Sequence, residues 1–106
     1  MIATTVINLH RKPTPYYDIY IGQRIRFHPN KYPQSKWGNQ FTKRYGSIPT
    51  RIQLYAEWIQ TQPHLLAALP ELRGKVLGCW CVERPIDYLR ENKVCHGEVL
   101  LQLINK

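Results

Sequence analysis

The sequence predicts a small single-domain α/β fold, a reduced Rossmann-like arrangement of about three strands with helices packed on the sheet. Three observations point to it. Short β-branched runs alternate with stretches of helical period along the chain. The 106 residues suffice for one modest core and are too few for two. With 43% hydrophobic residues and three tryptophans, the composition is that of a folded globule. No apolar run approaches the roughly 20 residues that a membrane span needs.

Thr4 to Leu9 is short and β-branched and reads as the first strand, broken by the two prolines between Arg11 and Pro15. Tyr17 to Ile21 alternates and stops at Gly22, giving a second strand. The link between them is too short for a helical crossover, so these two, if neighbours, pair antiparallel. From Gln23 to Pro49 no period is sustained, and prolines and glycines punctuate the run. A loop of this length in a compact domain commonly carries function or hides a short element. Thr50 is placed to cap a helix whose stripe is Ile52, Tyr55, Ala56 and Ile59, with Trp58 beside it. Pro63 ends that helix. His64 to Leu69 begins a shorter one, interrupted by Pro70, with Leu65, Leu66, Leu69 and Leu72 inward. Arg73-Gly74 is a helix stop before a third strand, Lys75 to Trp80, with Val76 and Leu77 fully buried. Gly78 inside that strand suggests close approach by another backbone or a ligand. Val82 to Val94 is polar, with a helical turn expected around Ile86, Tyr88 and Leu89. The last helix runs from about Gly97 to Ile104, with Val99, Leu100, Leu103 and Ile104 inward.

A crossover from the second strand through helices to the third makes those two parallel. Gly22-Gln23-Arg24 and Cys79-Trp80-Cys81 then emerge at one edge of the sheet, the carboxyl edge where open α/β sheets hold ligands. The amino end of the last helix, at Cys95-His96-Gly97, is expected to return there too.

The net charge of +8 is unevenly spread. Nine Lys/Arg (Arg11, Lys12, Arg24, Arg26, Lys31, Lys36, Lys43, Arg44 and Arg51) face one acid, Asp18, between His10 and Arg51. The remaining six basic and six acidic residues cancel. The basic segment is interleaved with Tyr16, Tyr17, Tyr20, Phe27, Tyr32, Trp37, Phe41 and Tyr45, a pattern that attracts phosphates on a nucleotide or a nucleic acid. It lacks paired carboxylates, which argues against two-metal nuclease chemistry. The chain carries no P-loop, G-x-G-x-x-G, H-E-x-x-H or G-x-S-x-G motif.

Four stretches in order are specific: Tyr20-Ile21-Gly22-Gln23-Arg24, Ser35-Lys36-Trp37-Gly38-Asn39-Gln40-Phe41, Leu72 through Cys81, and Cys95-His96-Gly97-Glu98-Val99-Leu100. Together they resemble a bacterial and phage family known as a domain of unknown function, DUF4326, whose motifs run YIGRR, SKWGNPF, L-x-GK-x-LGCWC-x-P and CHG-x-VL. Gln23 and Gln40 stand where that pattern has Arg and Pro, and the spacer from Val82 to Val94 is longer than the pattern's. The resemblance implies a fold and a shared site, and no reaction.

Cys79 and Cys81, two apart on an extended chain, point to one side with Trp80 on the other. With Cys95 and His96 they make a chemically reasonable zinc site of three thiolates and an imidazole. Two other readings stand beside it: buried thiols in a core, or Cys95 as a nucleophile at a helix amino end, with Glu98 as the next group to test. In the loop, Arg24, Lys36 and Arg44 are candidates to hold phosphate, and Trp37 and Asn39 a base or sugar; Trp37 serves equally as a loop anchor. The expected function is binding of a phosphate-bearing nucleotide or nucleotide-derived metabolite, with transferase or hydrolase activity open. The alternatives are a nucleic-acid-binding module on the basic face, or a phage protein that inhibits a host factor. The amino-terminal stretch has no signal-peptide character, and the odd cysteine count suits thiols or metal, so a reducing cytoplasm of a bacterial host or phage-infected cell is expected.

Overall fold

The computed structural model describes residues 3–10 and 13–105, so that Arg11 and Lys12 of the basic segment lie outside the described residues. The elements are β1 (Thr5–Asn8), β2 (Ile19–Tyr20), a 3-10 turn (Lys43–Tyr45), α1 (Ile48–Ile59), α2 (Pro63–Ala68), a second 3-10 turn (Leu69–Leu72), β3 (Val76–Cys79) and α3 (His96–Ile104). They build an α/β domain around a three-stranded sheet in the order β1-β3-β2, parallel throughout.

β1 and β2 are therefore not neighbours, and the antiparallel pairing conditional on that does not arise. The reason lies in Val76-Leu77-Gly78-Cys79: this is the strand with residues to bury on both faces, so it takes the centre, as parallel strands require. Polar side chains fix the register. Asp18 accepts a hydrogen bond from the Val76 amide at 2.8 Å. Thr4 donates to the Leu72 carbonyl at 3.1 Å and accepts from the Gly74 amide at 2.9 Å, where glycine supplies the φ of +72° that the turn into β3 needs.

Alternation across the strands separates two cores. Val6, Ile21, Leu77 and Cys79 face the helices, packing with Tyr55, Ile59, Leu65, Leu72, Val99, Leu100 and Leu101. Ile7, Leu9, Tyr20, Val76 and Trp80 face the other way, where Tyr17, Ile25 and Tyr32 from the connecting loops cover them. The second layer is thus an aromatic loop, which distinguishes the fold from a doubly wound sheet with helices on both faces. Val76 is half-buried, since its cover is a loop. Gly78 makes room for Leu9: a Cβ there would lie 2.9 Å from Leu9 Cδ1, so the close neighbour is a side chain.

Three local expectations are corrected. Ser47, not Thr50, caps α1, its Oγ accepting from the Thr50 amide at 3.5 Å, because Pro49 fits the first turn, where an N–H is dispensable. Pro63 opens α2 after α1 has already ended at Ile59, and Pro70 is carried inside a 3-10 turn. Residues 82–94 contain no helix. Pro85 disfavours the helical region for Arg84, and Ile86 instead exchanges backbone hydrogen bonds with Val6 at 2.8 and 2.9 Å.

At the carboxyl edge, α3 starts against the sheet. A Cβ on Gly97 would lie 2.8 Å from Ile21 Cδ1 and 2.9 Å from Val6 Cγ1, so only glycine lets the helix end sit this close. Among the described residues no helix is long and apolar enough to cross a membrane.

Candidate functional site

The three cysteines meet at this edge. β3 delivers Cys79, two residues of extended chain return Cys81 to the same side, and the amino end of α3 brings Cys95. Cys95 Sγ lies 3.1 Å from Cys79 Sγ and 3.1 Å from Cys81 Sγ, and all three sulfurs lie within 4.8 Å of one another. Cys79 and Cys95 are fully buried and Cys81 is exposed. Thiol donation from Cys81 and then Cys95 holds the Cys79 sulfur below the ordinary thiol range, while burial pushes Cys95 up. Cys79 is therefore the sulfur most readily ionised, while the buried Cys95, in contact with both neighbours, keeps its proton. A thiophilic cation completes such a set by displacing the remaining protons. The three cysteines can hold a metal.

His96 stands apart from the three-sulfur set. Its Nε2–H donates to the Ile21 carbonyl at 2.6 Å, which leaves Nδ1 unprotonated, 3.9 Å from Cys95 Sγ. Burial lowers its pKa and keeps the ring neutral. A neutral imidazole with one nitrogen tied to a carbonyl and the other bare has the tautomer that a metal ligand needs.

Above the cysteines opens a cleft of about 340 Å³. Its floor is Gly22, Cys79, Cys81 and His96; Phe41, Ile48, Ile52, Trp80 and Val94 give apolar walls; Gln23, Asn39, Thr42, Lys43 and Arg51 add polar groups. Among the described residues no carboxylate lines it. The Nε of Arg51 is buried and has no hydrogen-bond partner among the described residues.

Of the loop residues expected to bind a ligand, Asn39 lines this cleft. Arg24, Lys36 and Arg44 do not; all three are exposed. Lys36 pairs with Glu71 at 3.2 Å, and Arg44 stands over the Tyr45 ring at 5.5 Å. Trp37 is 2% exposed, an anchor buried in the main core, and has no face free for stacking. Its carbonyl accepts the Tyr55 hydroxyl at 2.8 Å, and Tyr55 in turn packs against the His96 ring at 5.2 Å. The cations in the cleft are Lys43 and Arg51, which sequence reasoning passed over as ligand groups. Arg51 was legible: it lies four residues before Tyr55, extending the inward stripe of α1 by one turn toward the carboxyl edge.

Glu98, expected beside Cys95 as a group for chemistry, has its carboxylate spent elsewhere. It closes a capping box at the start of α3, accepting from the amides of Val94 at 2.8 Å and Cys95 at 3.1 Å. It also pairs with Arg90, which is shared with Glu83 and holds that exposed carboxyl down at about 2. Glu98→Gln is expected to lower stability by about 1–3 kcal/mol, since a buried charge-assisted network loses one partner. A urea melt reads that loss. Ligand affinity should not change.

Comparison with known proteins finds similarity to two uncharacterised viral proteins. It is similar to "Uncharacterized protein R718" of Acanthamoeba polyphaga mimivirus, 39% identical over 87 residues, covering 81% of this chain and 65% of that protein. It is also similar to the "Uncharacterized 12.4 kDa protein in nrdA-td intergenic region" of Enterobacteria phage T4, 31% identical over 74 residues, covering 66% of this chain and 60% of that protein. The chain thus spans just under two thirds of the length of these curated relatives. No solved structure matches it. The resemblance seen in the four ordered motifs extends to a family match over residues 7–106, and the chain belongs to the family described as Domain of unknown function (DUF4326).

Proposed function

We propose that the protein binds a phosphate-bearing nucleotide or nucleotide-derived metabolite in the cleft at the carboxyl edge of the sheet. The observation that carries this reading is a cleft lined, among the described residues, by two cations, Lys43 and Arg51, and by no carboxylate. The unpartnered buried Nε of Arg51 adds to it, because a buried donor without an acceptor is costly and an anionic ligand supplies the acceptor. Asn39 and Gln23 offer hydrogen bonds to a base or sugar, and Phe41, Ile52 and Trp80 a surface for its ring.

Zinc held by Cys79, Cys81, Cys95 and Nδ1 of His96 braces the floor of this cleft in our reading. The three sulfurs suit the ion: a tetrahedron with legs of about 2.3 Å has edges of about 3.8 Å, so Cys79 and Cys81 need each move about 0.7 Å away from the Cys95 sulfur, and His96 turns its Nδ1 in as the fourth ligand. The ion supplies folding free energy by tying the end of β3 to the start of α3.

Calorimetric titration with a panel of ribonucleoside and deoxyribonucleoside mono- and triphosphates tests the reading. At least one member is expected to bind, and Arg51→Gln to weaken it by tenfold or more, the value of a charge-assisted hydrogen bond. Failure of the whole panel, or equal affinity in the Arg51→Gln variant, overturns the proposal.

A further inference from the structure

A second cleft, of about 260 Å³, lies on the loop side of the sheet and is lined by Leu9, His10, Thr14, His28, Lys31, Tyr32 and Trp80. Among the described residues Trp80 alone lines both this cleft and the one above the cysteines, so its indole is the partition between them. The partition is fixed: the indole N–H donates to the Tyr20 hydroxyl at 2.8 Å, and the rings of His10 and Tyr32 pack against it at 4.7 and 5.1 Å. Among the described residues, this cleft is lined by one cation, Lys31, by the two imidazoles of His10 and His28, and, like the first, by no carboxylate. Its two imidazoles and the Lys31 ammonium are exposed, while Tyr32 beneath them is buried.

Resting on the nucleotide reading of the first cleft, we infer that its ligand is one residue of a single-stranded nucleic acid, whose neighbour across Trp80 occupies the second cleft. The charge outside the clefts favours a polyanion over a small molecule. Of the basic segment's described cations, only Lys36 forms an ion pair with an acid among the described residues. Arg24, Arg26 and Arg44 are exposed, lie outside both clefts and pair with no acid among the described residues, which adds to the cations in the cleft walls more positive charge than one nucleotide can use. The segment that carries them supplies walls to both clefts, through His28, Lys31 and Tyr32 on one side and Asn39, Phe41, Thr42 and Lys43 on the other. Phe27, 83% exposed, stands beside the Arg26 guanidinium at 6.0 Å, and Tyr45, 45% exposed, beside Arg44. Exposed aromatic rings next to cations along a basic path are what single strands stack on, and base faces of any sequence can use them.

Fluorescence anisotropy with labelled oligodeoxythymidylate and oligouridylate of about ten nucleotides tests this, that length being within what one small single-strand-binding domain covers. Both strands, or whichever of DNA and RNA is the natural source, are expected to bind more tightly than the corresponding mononucleotide. Affinity should fall by 10²-fold or more between about 50 and 200 mM salt. The double variant His28→Ala/Lys31→Ala is expected to weaken strand binding about tenfold and to reduce the salt slope by about one, leaving mononucleotide affinity as it was. Strand affinity equal to that of the mononucleotide, or a double variant that binds strands unchanged, overturns the inference while the single-cleft reading stands. Equal affinity for duplex and single strand also overturns it, in favour of unspecific charge attraction. Strand binding that responds to the double variant but not to Arg51→Gln keeps the second cleft and removes the first.

Discussion

Stripping zinc from the loaded protein is expected to lower its melting temperature by about 15–30 °C. The magnitude follows from linkage: free zinc at about 1,000 times its dissociation constant stabilises the folded state by about 4 kcal/mol, and each kcal/mol moves the midpoint of a domain of this size by about 4–8 °C. The geometry makes the loss large, because the three sulfurs come from the end of β3, the chain just beyond it and the cap of α3. Native mass spectrometry should find one zinc per chain, and Cys95→Ser, which removes the sulfur common to both 3.1 Å contacts, should abolish it. Cys81→Ser keeps the two buried sulfurs and should weaken zinc rather than eliminate it. A protein that takes up no zinc and melts at the same temperature with and without chelator leaves the cysteines as a buried thiol cluster.

Trp37→Ala is expected to cost about 3–5 kcal/mol, the usual penalty for emptying a large aromatic site, and a large part of the 5–15 kcal/mol that holds a domain together. Trp37 plugs the long loop into the main core, and its carbonyl receives the buried Tyr55 hydroxyl, so the variant loosens both the loop and the helix beneath it. The same loop then carries Asn39 and Phe41 into the cleft, so ligand affinity should fall with stability. Phe27→Ala, in the same loop but 83% exposed, should change stability by no more than about 0.5 kcal/mol. Guanidinium melts of the two variants compare the roles directly. Equal stability losses would mean that Trp37 is not the anchor.

Much of this arrangement could be read from residue types alone, and the parts that could not share a cause. The strands around Val6, Tyr20 and Leu77, the helical stripe of Ile52, Tyr55, Ala56 and Ile59, and the return of Cys95 to the Cys79–Cys81 edge all follow from local period or from the handedness of crossovers. Strand order was not local: β3 enters between β1 and β2 because of what it buries, and nothing within Thr5–Asn8 or Ile19–Tyr20 encodes that. The same holds for the cations. Arg24, Lys36 and Arg44 sit in the motif-bearing loop, yet a loop without period gives no hint of which side chains turn inward. Arg51, on a helix, had a phase that could be followed. Ile86 misled for a related reason: an apolar residue in a polar run reads as a helix face, while here it pairs with Val6 from 80 residues earlier in the chain.

The placement of β3 also governs when this protein can begin to exist. Thr4 finds its partner 68 residues away and Asn8 reaches Trp80 across 72, so no two strands can zip together while the first half of the chain emerges from the ribosome. Until Val76–Cys79 appears, the nascent polypeptide holds two orphan strands and an aromatic loop with nothing to cover. High contact order of this kind slows folding into the millisecond-to-second range and lengthens exposure to wrong partners. For a chain so rich in positive charge, electrostatic self-repulsion during that interval becomes a safeguard against clumping.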